Sequence, residues 1–243
     1  EDDESILSSV ASVPTFATSG TEEGFQCSSK TRAAGLEGVL RQSPAFLVDH
    51  VVDEEICDQI INLCDHDLGF GVYKIGKNNH GAMQIVVDEK TAERLGQALS
   101  HHINVEDVES RRIEMMRNTG SLNDQEEVRL VYAGINRRWR VYRYEPGGEE
   151  TFAPHIDAGF PPSALSDDNT ELIWDSSNGQ DIVARLTVLL YLNDDFVGGE
   201  TNFYQPSSES SGDSKSPSLI AAVRPKAGSV LVFPQAVGEE AVS

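Results

Sequence analysis

The sequence predicts a mainly β (α+β) fold, a jelly roll or barrel in its second half with supporting helices ahead of it, and three observations carry that expectation. Six short runs of strand character, separated by Gly, Pro and Ser turn signals, fill residues 139–233. Such spacing suits an all-β barrel or sandwich, not alternating strand and helix units. One run, RLTVLLYLN at Arg185–Asn193, is apolar on both faces and reads as a central strand covered on both. Helical periodicity, by contrast, is confined to two stretches that end by Ile103.

Residues 1–42 are rich in Ser, Thr, Gly, Glu and Asp, a composition that rarely supports a core, and are expected to form a flexible acidic arm. A short strand follows at Ala45–Val52 (AFLVDHVV). Asp53 then stands at a helix N-cap position with Glu54 and Glu55 in the first turn, where the helix dipole favours acids. Ile56, Ile60 and Leu63, with Cys57 and Cys64, keep the 3.6-residue period to about Cys64. Gly69, Gly71, Gly76 and Gly81 break the next stretch, leaving short strands near Val72–Ile75 and Met83–Val87. A second helix is expected from about Glu89 to Ile103, with Ala92, Leu95, Leu99 and Ile103 on one side. The period then becomes two. Trp139–Tyr144 reads as a strand ended by Pro146-Gly147-Gly148, and Phe152–Asp157 as the next strand. Gly159–Gln180 reads as a long polar loop. Within RLTVLLYLN, the side chains of Thr187, Leu189 and Tyr191 share a face. A Gly198-Gly199 turn, a strand at Glu200–Tyr204, a Ser/Gly/Asp loop at Ser207–Ser218 and strands at Leu219–Val223 and Gly228–Phe233 complete the pattern. The expected organisation is therefore an arm over 1–42 and one domain over 43–243, with helical support over 43–137 and the β core over 138–243.

Charge and cysteine content narrow the partners. Lys+Arg 19 against Asp+Glu 40 gives a formal charge of -21, which repels nucleic-acid phosphates and anionic membrane surfaces. No apolar run approaches the ~18 residues of a membrane span. Neither nucleic acid nor membrane is an expected partner. Cys27, Cys57 and Cys64 are too few and too oddly numbered for a disulfide framework and read as thiols, the latter two buried on one helical face. A soluble, cytoplasmic protein is the favoured reading, with a removed leader left open because the chain begins at Glu1. The oligomeric state is not legible.

Chemistry concentrates at His155 and Asp157. Side chains alternate along a strand, so a His-x-Asp spacing aims an imidazole and a carboxylate into one space. A nitrogen and a carboxylate oxygen suit a borderline divalent cation, and His, carboxylate, His with open positions is the facial triad of non-haem Fe(II) oxygenases. His50, His66 and His80 have no such spacing to a carboxylate or histidine, and His101 and His102 fall near the C-terminus of the second helix, where the dipole favours a cation; all five read as structural.

The runs YRYEPGGEETFAPHID, RLTVLLYLNDDFVGGETNFY and RPKAGSVLVFP, in this order and with PAFLVDHVVDEEICDQII upstream, resemble the catalytic domain of the prolyl 4-hydroxylase-like Fe(II)/2-oxoglutarate dioxygenases. The resemblance spans about Ser43–Phe233. It implies a distorted double-stranded β-helix, the cupin-like jelly roll, with His155 and Asp157 as the first two iron ligands. It also implies that the hydroxyls of Tyr144 and Tyr191 bond 2-oxoglutarate and that Thr187 lines the same pocket. The activity implied is hydroxylation of a C–H bond, of prolyl residues in a peptide or protein. Fe(II), 2-oxoglutarate and O2 would take part, with ascorbate as reductant and succinate and CO2 as co-products. A small-molecule hydroxylase and a non-catalytic binding module of the same fold are the alternatives. The loops Gly159–Gln180 and Gln205–Ser218 would frame the substrate entrance as a lid. One departure stands out: the family adds a distal His and then an Arg or Lys on two further strands, whereas no His follows His155 here. Arg224 and Lys226 precede the matching strand. The expectation is that the last two core strands are missing from this sequence and lie beyond Ser243, since a truncated jelly roll would expose unpaired edges; their loss, along with catalysis, is the alternative.

Overall fold

The computed structural model describes residues 11–12, 25, 30–31, 45–75, 78–106, 108, 131–147, 150–157, 159, 162–167, 172–174, 182, 184–205 and 218–235. Among these the protein is mainly β, in small sheets that do not close into a barrel, with α-helices at Glu54–Asn62 and Glu89–Ser100 and further helical residues at 105–106 and 108. Strand β3 (Phe46–Val48) leads into helix α1 (Glu54–Asn62), as the alternation from apolar run to capped periodic run dictates. Two still shorter strands precede β3 in sequence, β1 (Ala11–Ser12) and β2 (Lys30–Thr31). Asp53 occupies the N-cap of α1 without a side-chain capping bond, and its charge joins those of Glu54 and Glu55 at the positive end of the helix dipole. The α-helical part ends at Asn62, where a π-helical segment, Leu63–Leu68, carries the chain to Gly69. Cys57 and Cys64 are both buried on the core side, and burial pushes each thiol up to about 11, so both act as small hydrophobes. Cys27 lies outside the described residues.

Helix α2 (Glu89–Ser100) is capped in full: Asp88 accepts from the Thr91 backbone N–H at 3.1 Å and from its hydroxyl at 2.6 Å. Between the helices run β4 (Gly71–Ile75) and β5 (Asn78–Val86), an antiparallel pair joined on the far edge of β5 by β6 (Arg138–Arg143). The arm contributes to this sheet and to the next. β1 pairs parallel with β5, β2 pairs with β3, and Phe25 bridges Val52.

The second sheet has the order β2-β3-β12-β9, with β9 at Leu186–Leu190 and β12 at Val230–Pro234. Its β12 strand explains why the sequence is apolar on both faces. Val230 and Val232 join Phe46, Val48, Ile56, Ile60, Leu95 and Leu99 in a core under the helices. Leu231 turns the other way and packs with Leu47, Tyr191, Ala221 and Val223, while Phe203 and Phe233 close that second core from its rim. The facing layer is the antiparallel ladder of β10 (Thr201–Gln205) and β11 (Ser218–Val223). Strand β9 alternates likewise, with Leu186, Val188 and Leu190 toward the helices and Leu189 and Tyr191 toward β10 and β11. Gly228 pins the start of β12: it has φ 73, donates to Tyr191 O and accepts from Val51 and Val52, and a Cβ there would lie 2.0 Å from Val52 O. No L side chain fits that place.

Three expectations need correction. Arg185–Asn193 is not a central strand among the described residues, since β9 pairs only with β12 and is half-buried throughout. Cover on both faces is a separate requirement from neighbours on both edges. Phe152–Asp157 joins no ladder; only Thr151, just before it, bridges Asn79. Pro154 in its middle has no N–H to give. Gly159–Gln180 is not loop throughout, because Ser163–Leu165 (β7) and Leu172–Trp174 (β8) form an antiparallel hairpin that the polar average of the segment conceals. The Ser207–Ser218 loop lies outside the described residues except for Ser218, which begins β11. No helix among the described residues is long and apolar enough to cross a membrane.

Candidate functional site at His155 and Asp157

The segment bearing His155 and Asp157 is strung between the two main sheets. At its start Thr151 exchanges both backbone hydrogen bonds with Asn79 at 3.0 Å, and the Ala153 N–H donates to Asn78 Oδ1 at 2.8 Å. Phe152 then seats its ring against His80 and Tyr142, at 4.9 and 5.4 Å between centroids. The His155 ring also packs against Phe152, at 4.3 Å between centroids. An extended chain fixed at residues 151–153 therefore delivers the next alternate side chains, His155 and Asp157, over the end of β9.

There the polar groups form one chain of hydrogen bonds. His155 Nδ1 lies 2.8 Å from Ala153 O, and Nε2 lies 2.9 Å from Asp157 Oδ1. The second carboxylate oxygen, Oδ2, accepts from Thr187 Oγ1 at 2.6 Å. Thr187 Oγ1 in turn accepts from Gln235 Nε2 at 3.1 Å. Gln235 sits one residue past β12, and its backbone N–H donates to Arg185 O at 3.0 Å. The Asp157 hydrogen bond raises the His155 pKa above the ordinary histidine value, against a smaller opposing effect of burial. For Asp157 burial alone would raise the pKa, but the bonds from His155 and Thr187, with the positive field of His155 and Arg140, outweigh it and hold the carboxyl below its usual range.

This arrangement fits the first two positions of a cation site. In octahedral coordination two adjacent ligands at about 2.1 Å from the ion stand ~3.0 Å apart, a spacing that the hydrogen-bonded His155 and Asp157 donor atoms, 2.9 Å apart, already have. The carbonyl of Ala153 holds Nδ1–H, the outer bond that metal-ligating histidines habitually make, which leaves Nε2 for the ion. A cation would replace the proton shared between Nε2 and Oδ1. Among the described residues no three or more His, Cys, Asp or Glu side chains gather as a metal group.

Of the five predicted site residues, the structure brings three together: His155, Asp157 and Thr187. Tyr191 is buried at the other end of β9, about 13 Å along the strand from Thr187, and its hydroxyl donates to Thr201 Oγ1 at 2.7 Å. Burial, eased by that bond, pushes its pKa up to about 12. Tyr144 follows β6, half-exposed, with its ring 5.3 Å from His80. Burial of the phenol, with Tyr142 and Glu150 beside it, pushes it up to about 12 as well. No described contact joins either tyrosine to His155 or Asp157. Gln235 was missed by sequence reasoning. The signal was a register: antiparallel pairing of VLVFP with LTVLL sets Pro234 opposite Leu186 and so carries Gln235 to Arg185, beside Thr187. His50 lies against Lys226 Nζ at 3.1 Å and His102 against the Phe46 ring, 6.5 Å between centroids.

Compared with known protein families, curated proteins and solved structures, the chain matches none.

Proposed function

We propose that the protein is an Fe(II)- and 2-oxoglutarate-dependent dioxygenase of the prolyl 4-hydroxylase type, acting on prolyl residues of a peptide or protein. The observation that carries the reading is the His155 and Asp157 pair, with donor atoms 2.9 Å apart and each side chain anchored on its far side by Ala153 O and Thr187 Oγ1. Bound there, Fe(II) with 2-oxoglutarate and O2 supplies the oxidising power to hydroxylate an unactivated C–H bond, with succinate and CO2 as co-products and ascorbate as reductant.

The chain's own residues do the rest. Asp157 stays ionised and His155 presents Nε2, the two donors of a borderline divalent ion. Phe152 and Ile156, both exposed, flank His155 with apolar surface on which a prolyl ring can rest and from which water is displaced. Of the three residues the resemblance assigns to 2-oxoglutarate, Thr187 alone stands beside the pair, and the co-substrate is proposed to lie against it; the Tyr191 hydroxyl is engaged by Thr201 farther along the strand and Tyr144 packs on His80. The overall charge of -21 disfavours a strongly anionic substrate. For the fold we adopt the double-stranded β-helix, supported by the sheet around β12, which is covered by helices on one face and by β10 and β11 on the other. The compartment we adopt is the cytoplasm, since both described cysteines are free and buried.

A second reading, a non-catalytic binding module of the same fold, is favoured by the absence of a third ligand among the described residues. Succinate formation from 2-oxoglutarate with Fe(II), ascorbate and proline-containing peptides separates the two. Turnover that disappears in His155→Ala is the expected result. A folded protein that binds proline peptides without turnover supports the module and rejects the enzyme.

A further inference from the structure

We propose that Gln235 and Thr187 form a positioning relay that decides which oxygen of Asp157 is offered to a divalent cation. The inference rests on the reading of His155 and Asp157 as a cation-holding pair and deepens it by naming what orients the carboxylate. A threonine hydroxyl has one proton to give. At 2.6 Å from a carboxylate oxygen, that proton lies on the Asp157 side, so Thr187 must accept from its other neighbour. Gln235 therefore turns its amide NH2 toward Thr187, at 3.1 Å. With its proton fixed in this way, Thr187 holds Oδ2 and leaves Oδ1 facing His155 Nε2.

The far end of Gln235 makes the case that the relay is not a packing accident. Its Oε1 is buried with no hydrogen-bond partner among the described residues, an arrangement that disfavours the fold. An apolar side chain of the same size would remove that penalty, yet an amide is present and directed at Thr187. Room for it comes from Gly159, two residues after Asp157, where a Cβ would stand 3.3 Å from Oε1 and 3.0 Å from Ala184 O. The backbone bond from Gln235 N–H to Arg185 O sets the side chain at this height on β9, so register and not a mobile loop fixes the geometry.

Co(II), a dioxygen-stable spectroscopic probe for an Fe(II) site, tests the relay by titration of the full chain, reading the dissociation constant and the visible d–d bands. Thr187→Val and Gln235→Leu are expected to weaken Co(II) binding about 10- to 100-fold, the usual effect of losing an outer partner of a ligand, and to shift the bands. Thr187→Ser, which keeps the hydroxyl, is expected to restore both. Far-ultraviolet circular dichroism keeps loss of fold apart from loss of orientation, and Gln235→Leu, at the end of a strand, serves if Thr187→Val does not fold. Wild-type affinity and bands in Gln235→Leu, with binding lost in His155→Ala, would overturn the relay and leave the cation pair standing. No Co(II) binding by the wild-type chain would overturn the cation pair itself and the relay with it.

Discussion

Two histidines pack against the Phe152 ring, His80 at 4.9 Å and His155 at 4.3 Å, and the protein moves them in opposite directions. His80 is 1% exposed, boxed by Tyr142, Tyr144 and Phe152, and burial lowers its pKa despite the Thr151 carbonyl and the charge of Glu150. His155 is open to solvent, and Asp157 raises its pKa. Where burial outweighs every neighbouring charge the ring belongs to the core, whereas a bonded carboxylate with space beside it marks chemistry. The same aromatic ring joins the two environments, so substitutions can separate them.

The largest expected effect is at the open histidine. His155→Ala should lower divalent-cation affinity by more than about 100-fold, beyond what losing an outer partner costs, while changing unfolding free energy by about 1 kcal/mol or less, as for an exposed pair. Cobalt titration and urea unfolding on one preparation check both halves. His80→Ala should do the reverse. Removing a fully buried ring costs ~2–4 kcal/mol in urea unfolding, and cation affinity should stay within about threefold, because His80 touches neither ligand. Phe152→Ala should fall between, with ~1–2 kcal/mol lost from a half-exposed ring and a moderate drop in affinity, since residues 151–153 hold His155 in place. An affinity change in His80→Ala as large as in His155→Ala would erase the distinction drawn here.

The contrast also shows what the sequence could tell. The spacing from His155 to Asp157, with no comparable carboxylate two residues from His80, separated the two histidines without any coordinates. The two helices and the apolar β12 run were legible because their periodicity reports burial directly. Pairing was not. That Arg185–Asn193 pairs along one edge only among the described residues, that Pro154 keeps 152–157 out of a ladder, and that Gln235 reaches Thr187 all depend on which strands lie side by side, and hydrophobic pattern leaves that open. Tyr191 was placed correctly on the face of Thr187, but strand length then separates its hydroxyl from Asp157. A shared face is a weaker statement than a shared site.

The smallest effect is the pH dependence of His80, and its sign follows from its environment. The unfolded chain takes up a proton at this histidine near pH ~6.5, and the folded protein only at lower pH, because the ring is buried. Stability is therefore complete above about pH 6.5 and declines as the pH falls toward the folded pKa, where the loss levels off. His80→Phe keeps an aromatic ring in the nest and removes the titration. Urea midpoints of wild type and variant, compared between about pH 7.5 and 5, should diverge on the acid side, with the wild type losing more. His155 and Asp157 titrate alike in both proteins and cancel from the difference. Parallel midpoints would mean that His80 gains a proton in the folded state as readily as in the unfolded one, and that the nest is wetter than its 1% exposure indicates.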